Sequence, residues 1–183
     1  MAATTKPSAA RGTRRNRLVQ DYEHDTYKLR GKLKEPTVCT GCGVLFHKGR
    51  WSWGPVPAGA APVTCPACHR IRDKYPMGLV TITGTFTEEL SEQVLAAIHN
   101  AEAQEKQEHA LARIMGIERR PQGFVVSTTD AHLPRRIGRS LHKAYQGELH
   151  FEYDHEEDFV RVSWTNGGNG RSPGATKTRP IVK

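Results

Sequence analysis

Two C-x-x-C pairs constrain this chain more than any other feature of its sequence. Cys39 and Cys42 form the first pair, Cys65 and Cys68 form the second, and 22 residues separate the pairs. Two such pairs at this separation are typical of a structural zinc site, in which four thiolates surround one ion as a tetrahedron. A glycine directly after the first pair and a proline within the second suit the tight turns that each pair requires. We therefore expect one structural Zn²⁺ bound by these four cysteines.

The segment that carries the cysteines has little else with which to build a core. Residues 54–62, in its middle, are rich in Pro, Gly and Ala and are predicted to form a loop. A segment of about 40 residues with this composition buries too little apolar surface to fold alone. A structural zinc supplies an apparent ~10–16 kcal/mol in zinc-finger peptides, which is sufficient to fold such a segment. Because four cysteine ligands leave no open coordination position, the site is expected to be structural and not catalytic.

Four other uses of these cysteines fit the pattern less completely. Disulfides require an oxidising compartment, and the N-terminal residues show no apolar segment of an export signal. A thioredoxin-like redox site explains one C-x-x-C pair and not two. The second pair and His69 match the C-x-x-C-H motif of covalent haem attachment, but this use leaves the first pair without a role. An iron–sulfur cluster, which also takes four cysteines, remains an open alternative.

The charge of the chain is distributed unevenly. The 183 residues carry a net charge of +8, yet residues 80–165 carry −5. The three other segments are basic, with +5 on residues 1–38, +4 on residues 39–79 and +4 on residues 166–183. Basic segments around an acidic domain indicate a protein that contacts phosphate groups with its ends, although solvated tails have the same composition.

Motifs of membrane proteins and of enzymes are missing from the sequence. No run of residues approaches the roughly 20 apolar residues that cross a bilayer, and we expect a cytoplasmic protein with no membrane partner. There is no P-loop and no H-E-x-x-H motif, and the glycine-rich residues 167–170 do not lie between a strand and a helix. We expect that the chain is not an enzyme and takes no small-molecule substrate.

The hydrophobic pattern divides the chain into four parts. Residues 1–34 are predicted to be a basic disordered tail and arm, residues 35–78 a zinc ribbon, residues 79–165 an α/β domain and residues 166–183 a basic flexible tail. In the α/β domain, short runs that begin near residues 79, 124, 149 and 159 predict strands. Apolar residues at helical spacing predict helices that begin near Thr87 and Pro134, and the first is expected to continue to about Gly116. The resulting order β-α-β-α-β-β predicts an α+β fold, a two-layer sandwich of a mixed four-stranded sheet and two helices.

Two groups of cations are candidate contacts for nucleic acid. One alternates with aromatic residues around the cysteines, and the other lies on one face of the predicted second helix. Such groups suit phosphate contact and base stacking. The two tryptophans equally suit packing of a small zinc core, and the helical cations equally suit a solvated face. The candidate residues, with three from the N-terminal tail, are Lys48, Arg50, Trp51, Trp53, Arg70, Arg72, Lys74, Arg135, Arg139, Lys143, Arg14, Arg15 and Arg17.

The sequence around the cysteines resembles known zinc-binding proteins. Cys39-Thr-Gly-Cys42-Gly and Cys65-Pro-Ala-Cys68-His-Arg-Ile-Arg-Asp-Lys-Tyr-Pro resemble an uncharacterised bacterial zinc-ribbon family. That family is similar to the N-terminal zinc region of the archaeal and eukaryotic large-ribosomal-subunit export adaptor, nonsense-mediated-decay protein three, which contains more C-x-x-C pairs. The resemblance implies contact with ribosomal RNA or ribosomal proteins. We therefore predict a zinc-binding, RNA-associated protein that acts on the ribosome or a ribosomal precursor; the alternatives are a DNA-binding zinc-ribbon regulator and a protein–protein adaptor.

Overall fold

A computed structural model describes Tyr27, residues 31–154 and residues 159–167. The predictions for the two tails, including the candidate contacts Arg14, Arg15 and Arg17, lie outside the described residues. Within those residues the chain is a mixed α+β fold, with two β-sheets and three helices. The cysteines belong to the first sheet and the helix that follows it, and the predicted α/β domain contains the second sheet.

The cysteine-bearing segment, called the ribbon below, is a small sheet followed by a short helix. Its elements are β1 (Thr37–Cys39), β2 (Leu45–His47), β3 (Arg50–Ser52), β4 (Ala61–Val63) and α1 (Pro66–Asp73). Strand β1 pairs antiparallel with β2 and parallel with β4, and β2 pairs antiparallel with β3. Residues 61 and 62 were predicted as loop, but they pair with β1 as part of β4.

The α/β domain contains five strands and two helices. The elements are β5 (Gly78–Thr83), α2 (Glu88–Glu108), β6 (Ile114–Arg120), β7 (Gly123–Thr128), α3 (His132–Tyr145), β8 (Glu148–Asp154) and β9 (Phe159–Thr165). The strands form one sheet in the order β6-β7-β5-β9-β8, in which β5 and β9 are parallel and the other neighbouring pairs are antiparallel. The strands predicted near residues 79, 124, 149 and 159 are present as β5, β7, β8 and β9.

The core of this domain lies between the sheet and its two helices. Alternate residues of β5, β7 and β9 are buried, while α2 and α3 contribute apolar residues at helical spacing. Trp164 is fully buried, and its indole Nε1 donates to the Gln146 carbonyl at 2.7 Å. Gly138 brings α3 close to β9, because a Cβ there would lie 2.6 Å from Val162 Cγ1. The two helices therefore form a second layer on one face of the sheet.

The prediction for the first helix of the α/β domain was wrong at its C-terminal end. The helix begins after Thr87, as predicted, with the Thr87 hydroxyl accepting from the Leu90 N–H at 3.2 Å. It ends at Glu108 and does not reach Gly116, because residues 114–120 pair with β7 as strand β6. The sheet therefore has five strands and not four, and the order is β-α-β-β-α-β-β instead of β-α-β-α-β-β.

The predicted start of the second helix differs by two residues. Helix α3 begins at His132, and Pro134 lies in its first turn. The Asp130 carboxylate accepts from the backbone N–H groups of His132 and Leu133 at 3.0 and 3.3 Å. This carboxylate caps the free donors of the first turn, and proline is tolerated there because it lacks a donor.

Candidate metal centre

The first cysteine pair lies on a tight turn after β1. The Gly43 N–H donates to the Cys39 carbonyl at 2.8 Å, and the Cys39 N–H donates to the Val44 carbonyl at 2.9 Å. Gly43 has a φ of +77°, which a residue without a side chain adopts at little cost. The turn closes the chain around Cys39 and Cys42, so that both thiols belong to one compact loop.

The second cysteine pair begins helix α1. Cys65 is the N-cap residue, its sulfur accepts from the Cys68 N–H at 3.4 Å, and Pro66 occupies the first turn. The Cys65 N–H in turn donates to the Cys39 sulfur at 3.2 Å, which links the two pairs. The helix start therefore places both thiols of the second pair against the first pair.

All four sulfur atoms converge on one point. They lie within 4.8 Å of one another, with Cys39 Sγ 3.7 Å from Cys68 Sγ and Cys42 Sγ 3.8 Å from Cys65 Sγ. A tetrahedron with metal–sulfur distances of about 2.3 Å has sulfur–sulfur edges of about 3.8 Å. The cysteines are free thiols and not disulfides. The four residues can therefore hold one metal ion, and the donor set fits a tetrahedral site.

The two histidines nearest in sequence have other partners. His69 Nδ1 lies 2.9 Å from an Arg72 guanidinium nitrogen, and His47 Nδ1 lies 3.7 Å from the Glu35 carboxylate. The second cysteine pair faces the first pair, so a haem site on the second pair alone does not match this arrangement. Among the described residues, no other group of three or more histidine, cysteine or acidic side chains converges in this way.

Burial and backbone donors act in opposite directions on the thiols. Burial favours the neutral form of Cys39, but N–H groups of Cys65, Gly41 and Cys42 donate to its sulfur and lower its pKa to about 6. Burial raises the pKa of the Cys65 and Cys68 thiols. A metal ion binds thiolates, so it displaces protons from the cysteines that retain them.

Arg113, which the sequence did not single out, lies against the cluster. Its guanidinium donates to Cys42 Sγ at 2.9 Å and to Cys68 Sγ at 3.5 Å, and lies 3.9 Å from Cys65 Sγ. The residue is only 8% exposed. Burial lowers the pKa of the guanidinium, but the facing sulfur atoms, Cys42 Sγ above all, outweigh that effect and raise it. Arg113 therefore brings a positive charge to a site where four thiolates exceed the charge of a divalent ion by two.

Arg113 belongs to the α/β domain, so the cluster is completed across a domain contact. Its N–H donates to the Thr129 hydroxyl at 2.9 Å, and its carbonyl accepts from the Thr129 N–H at 3.0 Å. Ala110 and Leu111 pack against the ribbon core beside the cysteines. No local sequence pattern connects residues 113 and 42, which explains why the contact was not predicted.

The two ribbon tryptophans make contacts within the protein. Trp51 packs against Phe46, with ring centroids 5.2 Å apart, and against the ribbon core. Trp53 donates from its indole Nε1 to the Lys106 carbonyl at 3.2 Å. The Lys106 ammonium and the Arg113 guanidinium lie 4.7 and 5.3 Å from the Trp53 ring centre. These contacts join the ribbon to α2. Trp53 remains 41% exposed, so the junction lies at the protein surface.

The candidate cations of the ribbon differ in their access to solvent. Arg70 is 4% exposed, and its guanidinium lies 4.5 Å from the Tyr27 ring centre and 5.8 Å from that of Tyr75. Arg72 is exposed and bonds to Asp73 at 2.9 Å. The remaining cations are exposed and lie in two separate places: Lys48 is in the β2–β3 turn, Arg50 begins β3, and Lys74 caps the C-terminal end of α1.

The candidate cations of α3 line a common cleft. Arg135, Arg139 and Lys143 share with the C-terminal end of α2 a cleft of about 520 Å³. The structure thus brings these three predicted contact residues together at one concave surface. They lie on the side of the domain where α2 and α3 meet.

Comparison with known proteins found no match. No protein-family model, curated protein sequence or solved structure matched this chain. No helix in the described residues combines the length and apolar composition needed to cross a bilayer.

Proposed function

We propose that this chain is a non-enzymatic zinc protein that associates with RNA, on the ribosome or a ribosomal precursor. The observation that carries the metal assignment is the convergence of four cysteine sulfurs at tetrahedral spacing. Four thiolates without a competing histidine are the preferred ligands of a structural Zn²⁺. Zinc would hold the ribbon together and would leave no coordination position for water or substrate.

The charge distribution supports RNA as the partner. Residues 39–79 carry a net charge of +4 around the metal centre, and the exposed cations there include Lys48, Arg50, Arg72 and Lys74. Tyr75, which follows Lys74 in the chain, is 51% exposed, and its ring stacks on Tyr27 with the centroids 5.6 Å apart. In this proposal the metal centre holds in place the two elements that carry these cations, the region of β2 and β3 and helix α1.

Binding of the zinc-loaded chain to ribosomal RNA fragments and to duplex DNA, at matched salt, tests this function. We expect RNA to be preferred and the affinity to fall steeply as salt rises. A preference for duplex DNA would favour a regulator, and binding of a ribosomal protein that persists at high salt would favour an adaptor; either result would contradict the proposal.

A charge-reversed variant locates the contact. The double variant Arg72→Glu/Lys74→Glu is expected to weaken RNA binding and to reduce its salt dependence. The matched control is Arg119→Glu/Arg120→Glu, which makes the same charge change at the C-terminal end of β6 in the other domain. Equal losses of RNA affinity in the two double variants would show a general effect of charge and would exclude the ribbon surface as the RNA contact.

A further inference from the structure

The cleft between α2 and α3 has cationic side chains along one wall. Carboxylates of α2 lie at its base, and Arg136 partly neutralises their charge. The Glu105 side chain is 5% exposed at the base, where it pairs with the Arg136 guanidinium and lies 3.6 Å from His109 Nε2. Glu108 lies 3.7 Å from the same guanidinium. Arg136 thus offsets part of the carboxylate charge of α2. Arg135 donates from Nε to the Ala131 carbonyl at 3.0 Å, and one of its terminal nitrogens lies 2.9 Å from His132 Nδ1. These contacts use two of the five N–H groups of the guanidinium, so donors remain for an external phosphate.

Three of these cations form a row along α3. Arg135, Arg139 and Lys143 are spaced four residues apart, which is about 6 Å per step along a helix. In the part of the chain that the structure describes, ion pairs with carboxylates involve Arg136 but not these three. Three cations in a row of about 12 Å match a chain of phosphates better than one small anion.

Aromatic rings lie on both sides of the row. On the cleft side, the His109 and His132 rings stack with their centres 5.3 Å apart and 12° between their planes. On the other side, the guanidinium of Arg135 lies 6.0 Å from the Tyr153 ring centre. Tyr153 is 48% exposed, so its ring is accessible. A line of cations flanked by accessible rings is the combination that single-stranded nucleic acid requires.

We propose that the α2–α3 cleft and the α3 row bind single-stranded RNA. Phosphates lie along Arg135, Arg139 and Lys143, and a base stacks on Tyr153. The cleft volume of about 520 Å³ is within the range of small-ligand pockets and accommodates one nucleotide beside the row. This inference rests on the proposed RNA association and adds to it a second contact, away from the ribbon, with a preference for unpaired strands.

The test measures fluorescence anisotropy of a labelled RNA of about 12 nucleotides, alone and annealed to its complement, with the zinc-loaded full chain. The variant is Arg135→Gln/Arg139→Gln/Lys143→Gln. The control is Arg119→Gln/Arg120→Gln/Arg161→Gln, which removes the same charge from the C-terminal end of β6 and from the uncovered sheet face. We expect the wild-type chain to bind the single strand about tenfold more tightly than the duplex, in line with the stacking of one base.

The salt dependence identifies the phosphate contacts. Loss of three contacts lowers the slope of log affinity against log salt by about 2 in the cleft variant. The control variant is expected to keep most of the wild-type slope. Tyr153→Ala is expected to weaken single-strand binding about tenfold, and Tyr153→Phe, which keeps the ring, to restore it. Circular dichroism and zinc content confirm that each variant is folded.

The outcomes separate this inference from the proposed function. If RNA binds but the cleft and control variants lose equal affinity and slope, the cleft assignment is overturned and the RNA association stands. Equal affinity for single strand and duplex would also overturn the assignment. If the folded, zinc-loaded chain binds neither RNA, the proposed function and this inference both fail.

Discussion

The ribbon and the α/β domain achieve stability in different ways. The buried cluster of the ribbon consists of Cys39, Val44, Cys65 and Ala67, with Ala110 from the other domain. The core of the α/β domain contains large apolar side chains from two helices and the sheet, with Trp164 fully buried among them. Where apolar side chains are few, a bound metal can take the place of a core. Under the zinc assignment proposed above, the ribbon would be a metal-dependent unit beside a self-sufficient one.

Removal of the metal should unfold the ribbon and leave the α/β domain folded, which is the largest effect that we expect. A strong chelator is expected to remove an apparent binding free energy of about 10–16 kcal/mol and to unfold the ribbon. Cys65→Ser, which removes one of the four ligands, is expected to weaken metal binding and to act in the same direction. Hydrogen exchange measured by mass spectrometry is expected to lose protection in residues 37–73 and to retain it in residues 78–128. Simultaneous loss of protection in both units would contradict the comparison.

A cavity in the core of the α/β domain should destabilise that domain and leave the metal centre of the ribbon intact. Ile137 is fully buried on α3, and Ile137→Ala is expected to lower the free energy of unfolding of the α/β domain by about 2–5 kcal/mol. Denaturant unfolding gives that value, and metal analysis gives the zinc content. We expect the variant to retain one zinc per chain under native conditions. Loss of zinc together with stability would show that the ribbon depends on the core of the α/β domain.

Arg113 tests the connection between the two units. Arg113→Met keeps an apolar stem but removes the guanidinium that donates to Cys42 and Cys68. Zinc affinity, measured by competition with a chromophoric chelator, is expected to fall about 10–100-fold, as for other residues that support metal ligands. Arg113→Lys keeps the charge without the forked donors and is expected to be intermediate. Wild-type affinity in Arg113→Met would mean that the domain contact does not support the metal centre.

The helix cap of α2 provides the smallest expected effect. Thr87→Ala removes the hydroxyl that accepts from the Leu90 N–H and is expected to lower the stability of the α/β domain by about 1 kcal/mol. Thr85→Ala is a suitable control, because Thr85 accepts from Asn166 through its backbone carbonyl. Thermal unfolding of the two variants measures the difference. Equal stabilities would rule out the cap as a contributor.

The predictable features were those with a local pattern. The four cysteines are recognisable from their spacing, and strands such as β7 and β9 from the alternation of their buried residues. Strand β6 was missed because Leu111, Ile114 and Met115 continue the helical spacing of α2. Its second half, residues 118–120, is exposed and charged at a sheet edge, so it lacks the alternation of a half-buried strand.

Features that depend on tertiary structure were not predictable. Arg113 lies 71 residues from Cys42 in sequence, and only the docking of the ribbon brings the two side chains together. Arg70 was predicted as an exposed contact, yet the rings of Tyr27 and Tyr75 cover its guanidinium. The cations of α3 share a helix face by their spacing, but the cleft beside them requires the packing of α2 against α3.

X-ray absorption spectroscopy of the zinc-loaded chain, combined with metal analysis, tests the central claim most directly. The account predicts one zinc per chain, surrounded by four sulfur atoms at about 2.3 Å. A coordination shell that contains nitrogen, or a chain that binds no zinc with all four cysteines reduced, would contradict it.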